Sequence, residues 1–112
     1  MSAAKYDLVI DQGASFSIDI TVKENGVIKN LTGYTARAQM RTTKTASSVA
    51  ASFTCTIPTP TNGEVKMELS PSTSSAMAAG SFYYDLEIYT SSDAIVKRLI
   101  EGIVTLTQEV TR

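Results

Sequence analysis

Apolar residues recur at every second position through most of the chain. Phe16, Ile18, Ile20 and Val22 alternate with Ser15, Ser17, Asp19, Thr21 and Lys23, so a strand here gathers its apolar groups on one face. The same period of two runs through Tyr34, Ala36, Ala38 and Met40 and then through Phe53, Cys55 and Ile57. It continues in Val65, Met67 and Leu69, and in Phe82, Tyr84, Leu86 and Ile88. The intervening sets, Thr35, Arg37, Gln39 and Arg41 on one strand and Tyr83, Asp85, Glu87 and Tyr89 on another, face water or a partner. Residues 6 to 11 predict a short first strand. Segments 94 to 100 and 102 to 110 predict the last pairing, with Gly102 as a bulge or kink between them.

Turn chemistry separates these runs. Asn25-Gly26 suits a two-residue type I′ hairpin, because both central residues need positive φ, and residues 27 to 30 form its return strand. Asn62-Gly63 is a second turn, and Pro58 and Pro60 end the strand before it because proline cannot donate to a ladder. Ser91-Ser92-Asp93 makes a third. Residues 42 to 51 hold Thr, Ser and Ala with one Lys and one Val and no periodicity, which reads as a long loop. Ser70 is a good helix N-cap and Pro71 a good first helical residue, so a short helix is expected to run through Ala76-Met77-Ala78-Ala79 and stop at Gly80. Seven or eight strands with regular turn signals predict an all-β, antiparallel sandwich with one short helix, a closed barrel being the alternative. No repeat or linker divides residues 1 to 112, which are expected to form one domain.

Composition narrows the function. The chain has 112 residues, 43% apolar and 19% charged, in the globular range. Ten Lys plus Arg against eleven Asp plus Glu lack the basic excess that non-specific nucleic-acid binding needs, so no nucleic-acid partner is expected. With no His and a single Cys, His-dependent triads and the common zinc sites are excluded, as is an intramolecular disulfide. Fifteen Thr and thirteen Ser, 28 residues together, suit exposed strand faces. Residues 1 to 11 lack the apolar run of a secretory signal, and eighteen consecutive apolar residues occur nowhere. Synthesis as a soluble cytoplasmic product, with no membrane partner, is the expectation.

Several residues merit weighing as chemistry. Ser2-Ala3-Ala4-Lys5 has Ser-x-x-Lys spacing without the motifs that accompany it in serine hydrolases, and reads as a chance match. Asp7, Asp11 and Asp19 lack calcium-loop spacing, so no metal is expected. Asp85 and Glu87 share a strand face as a glycosidase pair could, but read as an exposed face opposite Arg37, Arg41 or Lys97. Asn30-Leu31-Thr32 is a formal glycosylation acceptor with no secretory route. Cys55, on the apolar set of its strand, reads as a small buried hydrophobe. Tyr83 and Tyr89 fall on the outward set, where tyrosines serve protein interfaces and sugar-stacking surfaces.

The segments taken in order carry a resemblance. They are Asp11-Gln12-Gly13-Ala14-Ser15-Phe16-Ser17-Ile18, an Asn-Gly hairpin, Leu31-Thr32-Gly33-Tyr34-Thr35-Ala36-Arg37-Ala38-Gln39-Met40-Arg41 and a Ser/Thr-rich loop. Then come Leu69-Ser70-Pro71 leading to Ala79-Gly80, Tyr83-Tyr84-Asp85-Leu86-Glu87, and Leu99-Ile100-Glu101-Gly102 before a closing Val-Thr-Leu-Thr. This series resembles small virion structural proteins of tailed bacteriophages, including the amino-terminal domain of the baseplate upper protein family and its stand-alone relatives. The resemblance implies an immunoglobulin-like sandwich that builds the baseplate, tail, neck or head surface of a virion. It implies a symmetric homo-oligomer bound to other virion proteins, with no cofactor, no small-molecule substrate and no catalysis. The match ends at Arg112 without a receptor-binding domain, which favours an accessory or decorating subunit. Arg37, Arg41, Tyr83 and Tyr89 are the expected contacts. A carbohydrate-binding or adhesin-like module using Tyr83, Tyr89 and the loop at 42 to 51 is the alternative.

Overall fold

The computed structural model describes residues 3 to 111. In chain order its elements are β1 (Ala4–Lys5), β2 (Leu8–Asp11), β3 (Phe16–Thr21), β4 (Lys23–Glu24), β5 (Val27–Ile28), β6 (Thr35–Arg41) and β7 (Ala51–Thr56). A 3₁₀ turn (Pro60–Asn62), β8 (Glu64–Leu69), α1 (Pro71–Ser75), β9 (Gly80–Tyr89), a second 3₁₀ turn (Ser91–Asp93) and β10 (Val96–Thr107) follow. The all-β class with one short helix is the observed one. More strands occur than the hydrophobic pattern suggests, because β1, β4 and β5 are two-residue pieces too short to show a period.

The main sheet runs β10, β9, β6, β7, β8, β3, with β1 and β2 both on the far side of β10. Its two layers meet at β7, whose residues Ala51 to Phe53 pair with β6 while Thr54 to Thr56 pair with β8. A strand that changes sheets in this way makes a corner. The two ends of the sheet are also joined, since four residues connect β2 to β3. Laid flat, seven neighbouring strand positions would spread over roughly 29 Å, whereas the five Cα steps from Asp11 to Phe16 reach about 18 Å at most. The sheet must therefore curl, and it does so around one core in which Ile10, Leu31, Met40, Val65, Met67, Leu86, Ile88 and Val104 are fully buried.

The uniformly antiparallel arrangement expected from the turn spacing needs correction. β1 and β2 run parallel to β10; they open the chain and β10 closes it, so no hairpin joins them to force an antiparallel pairing. Tyr6 N–H donates to Glu101 O at 2.9 Å and Gln12 N–H to Thr107 O at 3.1 Å. The expected strand over 6 to 11 begins only at Leu8, and Tyr6-Asp7 is the break between the two pieces. Gly102 is no bulge: β10 is continuous there, and its register shifts earlier, between Arg98 and Ile100. A Cβ at Gly102 would collide with the Tyr6 carbonyl oxygen and lie 2.8 Å from Asp7 Oδ1, so glycine is required by close approach of the edge strand.

The local signals hold elsewhere. Asn25 and Gly26 both take positive φ, 52° and 79°, and close the β4–β5 hairpin, although its return strand stops at Ile28. Ser70 caps α1 by accepting from Thr73 N–H, with Pro71 at the first position. The helix ends at Ser75, before the expected Ala76 to Ala79. There Met77 packs against the core, its carbonyl accepts a hydrogen bond from Gln12 Nε2 at 2.8 Å, and Gly80 opens β9. The 42 to 50 loop is tied down by Arg41, whose Nη1 donates to Ala46 O at 2.9 Å. Ser2 of the Ser-x-x-Lys spacing lies outside the described residues. Among the described residues, no helix is long and apolar enough to cross a membrane.

Candidate functional site

The strand period sends alternate residues of β9 outward, and the ladders on both sides give each an opposite number. Tyr83 faces Arg41 on β6 and Ile103 on β10, and Asp85 faces Gln39 and Glu101. Glu87 faces Arg37 and Arg98, and Tyr89 faces Thr35 and Val96. The four residues singled out from the sequence, Arg37, Arg41, Tyr83 and Tyr89, therefore lie on one outer face. They are not one cluster. Arg37 and Tyr89 sit at one end of it, Arg41 and Tyr83 at the other.

At the first end the Arg37 guanidinium lies 4.3 Å from the Tyr89 ring centroid, donates from Nε to Glu87 Oε1 at 2.8 Å and reaches Asp93 at 3.5 Å. The hydrogen bond to Glu87 raises its pKa further above the ordinary arginine value, so the charge is fixed at any working pH. At the other end Arg41 Nη2 donates to Gln39 Oε1 at 3.2 Å, and Lys44 sits 5.6 Å from the Tyr83 ring. Between the ends, Arg98 bridges Asp85 at 3.3 Å and Glu101 at 3.4 Å. Burial pushes the Asp85 carboxyl above its ordinary value, reinforced by Glu87 and Glu101 and opposed by Arg98. Each pair is partly exposed and adds little to stability. Their effect is to hold arginines and tyrosines in fixed poses, the residue types that carry binding energy at protein interfaces.

The sequence anticipates part of this arrangement. Arg37 meets Glu87 as a cross-strand pair. Of the other two expected partners, Arg41 bonds Gln39 and the Ala46 carbonyl, and Lys97 bonds Glu24 at 2.8 Å and anchors the β4–β5 hairpin. Arg98 and Glu101 were not anticipated, because the bulge at Leu99 resets which residues of β10 face outward. Two adjacent apolar residues, Leu99 and Ile100, are the trace that bulge leaves in the sequence. The geometry bears on sugar stacking as well. Tyr83 and Tyr89 are six residues apart, about 20 Å along a strand, and each ring already has a cation over it, so the two do not form one stacking platform.

The other candidates are scattered. Asp7 accepts from Ile103 N–H at 3.0 Å, Asp11 accepts from the Thr107 hydroxyl at 2.8 Å, and Asp19 pairs across the strand with Lys66. Among the described residues, no three His, Cys, Asp or Glu side chains are grouped to hold a metal. Asn30 Oδ1 accepts from the backbone N–H and hydroxyl of Thr32. Cys55 is half-buried, and burial pushes its thiol up to about 11. With so little thiolate, its alkylation by iodoacetamide at pH 8 is expected to run roughly a hundredfold slower than that of an unfolded control. Equal rates of free-thiol loss would contradict this placement.

No protein-family model matches the chain, and no curated protein matches it either. Solved structures do. The fold is similar to that of the N-terminal domain of phage TP901-1 ORF48, with a TM-score of 0.58 and 14% identity over 96% of this chain and 100% of that one. It is also similar to InlP of Listeria monocytogenes, with a TM-score of 0.51 and 14% identity over 94% of this chain and 28% of that one. At such identities the likeness is one of fold.

Proposed function

We propose that this chain is a structural subunit of a tailed-bacteriophage particle that acts through protein contacts and performs no catalysis. The observation that carries the reading is end-to-end coverage: the fold spans the whole of a domain from a phage protein. The ordered motifs of the sequence point to the same kind of particle by a separate route. The outer face of β6, β9 and β10 is the contact surface, with Arg37, Arg41, Tyr83 and Tyr89 as its anchors and other virion proteins as its partners. A particle component needs repeatable faces and not reactive groups. Baseplate, tail, neck and head surface are all compatible with this chemistry.

Electron microscopy of virions made with and without the protein tests the reading: density that disappears with it supports the proposal, and identical particles sink it. The face has its own test. The double substitution Arg37→Glu with Tyr89→Ala places a third carboxylate beside Glu87 and Asp93 and removes the ring that orients the guanidinium. Incorporation into virions, measured by quantitative immunoblot, is expected to fall at least roughly tenfold, as for loss of an interface hot spot. Normal incorporation would move the contact surface elsewhere.

A further inference from the structure

The two edges of the curled sheet are built differently. On the β10 side the edge is split into two short strands, β1 and β2, and the Asp7 carboxylate takes up the Ile103 N–H between them. Short strands and edge carboxylates are devices that discourage pairing with another chain. The opposite edge, β3, is one unbroken strand of six residues, and its single carboxylate, Asp19, lies on the outer face across from Lys66 of β8. Its sequence Phe-Ser-Ile-Asp-Ile-Thr contains no Pro and no Lys, and its register with β8 is unbroken from Phe16 to Thr21. Among the described residues, no backbone or side-chain hydrogen bond other than the β8 ladder reaches residues 16 to 21.

The apolar flank of this edge is also open. Phe16, Ile18 and Ile20 are half-buried, although their neighbours on β8, Leu69, Met67 and Val65, are 3%, 0% and 0% exposed. A groove of about 670 Å³ continues from Ile20 and Val22 toward Val96 and Ile100 of β10. A strand laid beside β3 would find both free backbone groups and apolar surface to cover.

We infer that β3 pairs antiparallel with β3 of a second copy of this chain, about a two-fold axis at Ile18. Register selects this arrangement, since among axes on a residue of Phe16–Thr21 only those on Ile18 and Asp19 pair five residues of the strand. Opposed residues in an antiparallel pair share a face of the sheet, so a two-fold axis must fall on a residue; placed between residues, it would set the core face of one copy beside the solvent face of the other. An axis on Asp19 opposes that carboxylate to its own symmetry mate, which is unfavourable. An axis on Ile18 places Ile18 against Ile18 and Phe16 against Ile20 on the inner face, with Ser17 against Asp19 on the outer. No like charges meet, and an aromatic residue packs on a β-branched one. The inference stands whether or not the protein belongs to a virion.

Sedimentation equilibrium of the full chain tests it. A dimer is expected at about 100 µM, dissociating on dilution. Ser17→Lys sets a lysine against Asp19 of the other copy twice over and is expected to tighten the dimer roughly threefold to tenfold, while Ser17→Asp loosens it by a similar factor. Ser17 also faces Glu68 within its own chain, so thermal melting of both variants confirms that each is folded. The lysine variant gains a favourable neighbour there and keeps the test decisive. A monomer at about 100 µM, or a dimer equally tight in all three chains, overturns the inference. In the second outcome the copies associate through another face.

Discussion

Gly102→Val is expected to lower unfolding stability by about 3 kcal/mol, from overpacking together with lost buried hydrogen bonds. Urea unfolding followed by tyrosine fluorescence measures it. The reason lies in what the missing side chain admits. The Tyr6 carbonyl comes so close to Gly102 that any Cβ forces it away, and Asp7 Oδ1 lies 2.8 Å from the same position. Three bonds depend on that approach: Tyr6 N–H to Glu101 O, Ile103 N–H to Asp7, and the Tyr84 hydroxyl to the Tyr6 carbonyl. Tyr84 is 4% exposed, and a buried hydroxyl left without a partner costs more than the bond itself contributed. Tyr84→Phe breaks one of the three and is expected to cost about 1 kcal/mol. A Gly102→Val chain that unfolds at the wild-type midpoint would refute the close-approach account.

The same buried phenol gives a pH dependence of definite sign. Burial, reinforced by Asp7, raises the Tyr84 pKa well above its ordinary value, as burial raises that of Cys55. Both groups stay protonated in the folded chain at a pH where the unfolded chain has begun to ionise. Their contribution is therefore complete below the ordinary thiol and phenol values, and it drains away as pH climbs through them toward the raised folded values. Alkaline pH destabilises this fold through its interior before it discharges Arg37 on the surface.

What was legible in the sequence follows the range of each signal. Period-two alternation identified β3, β6, β7, β8 and β9 because each has one wet face and one dry face. Asn25-Gly26 and Ser70-Pro71 were legible because turn and cap preferences are local. The parallel placement of β1 and β2 beside β10 was not, since parallel pairing joins segments about ninety-six residues apart and leaves no turn between them. Gly102 was singled out correctly as special and assigned the wrong reason, because a bulge and a close approach both demand glycine. On the face, Arg37 and Tyr89 could be placed from the parity of β6 and β9. Arg98 could not, because Leu99 shifts the parity of β10 just beyond it. Neither could the separation of the two ends: alternation says which side a residue faces and nothing about what stands over it.

Leu86→Ala is expected to cost about 3 to 4 kcal/mol, the usual range for emptying a buried leucine site that cannot collapse. Leu86 is fully buried at the middle of β9, opposite Ala38 of β6 and Ile100 of β10. The buried residues that β6 sets opposite and beside Leu86, Ala38 and Ala36, are small, and Met40 on the same face is already packed opposite Tyr84, so β9 supplies the bulk in this part of the core. Leu86→Met conserves most of the volume and is expected to recover most of the loss, to within about 1.5 kcal/mol of wild type. Asp85 and Glu87 flank this residue on the other side of the strand, where they hold Arg98 and Arg37. Loosening the core beneath them therefore degrades the outer face as well, and Leu86→Ala should lose virion incorporation together with unfolding stability. Arg37→Glu with Tyr89→Ala should lose incorporation at a smaller cost in unfolding stability than Leu86→Ala, because the pair it breaks and the like charge it sets opposite Glu87 are partly exposed. If both variants lost stability alike, the outer face would be a part of the fold and not a surface held ready for a partner.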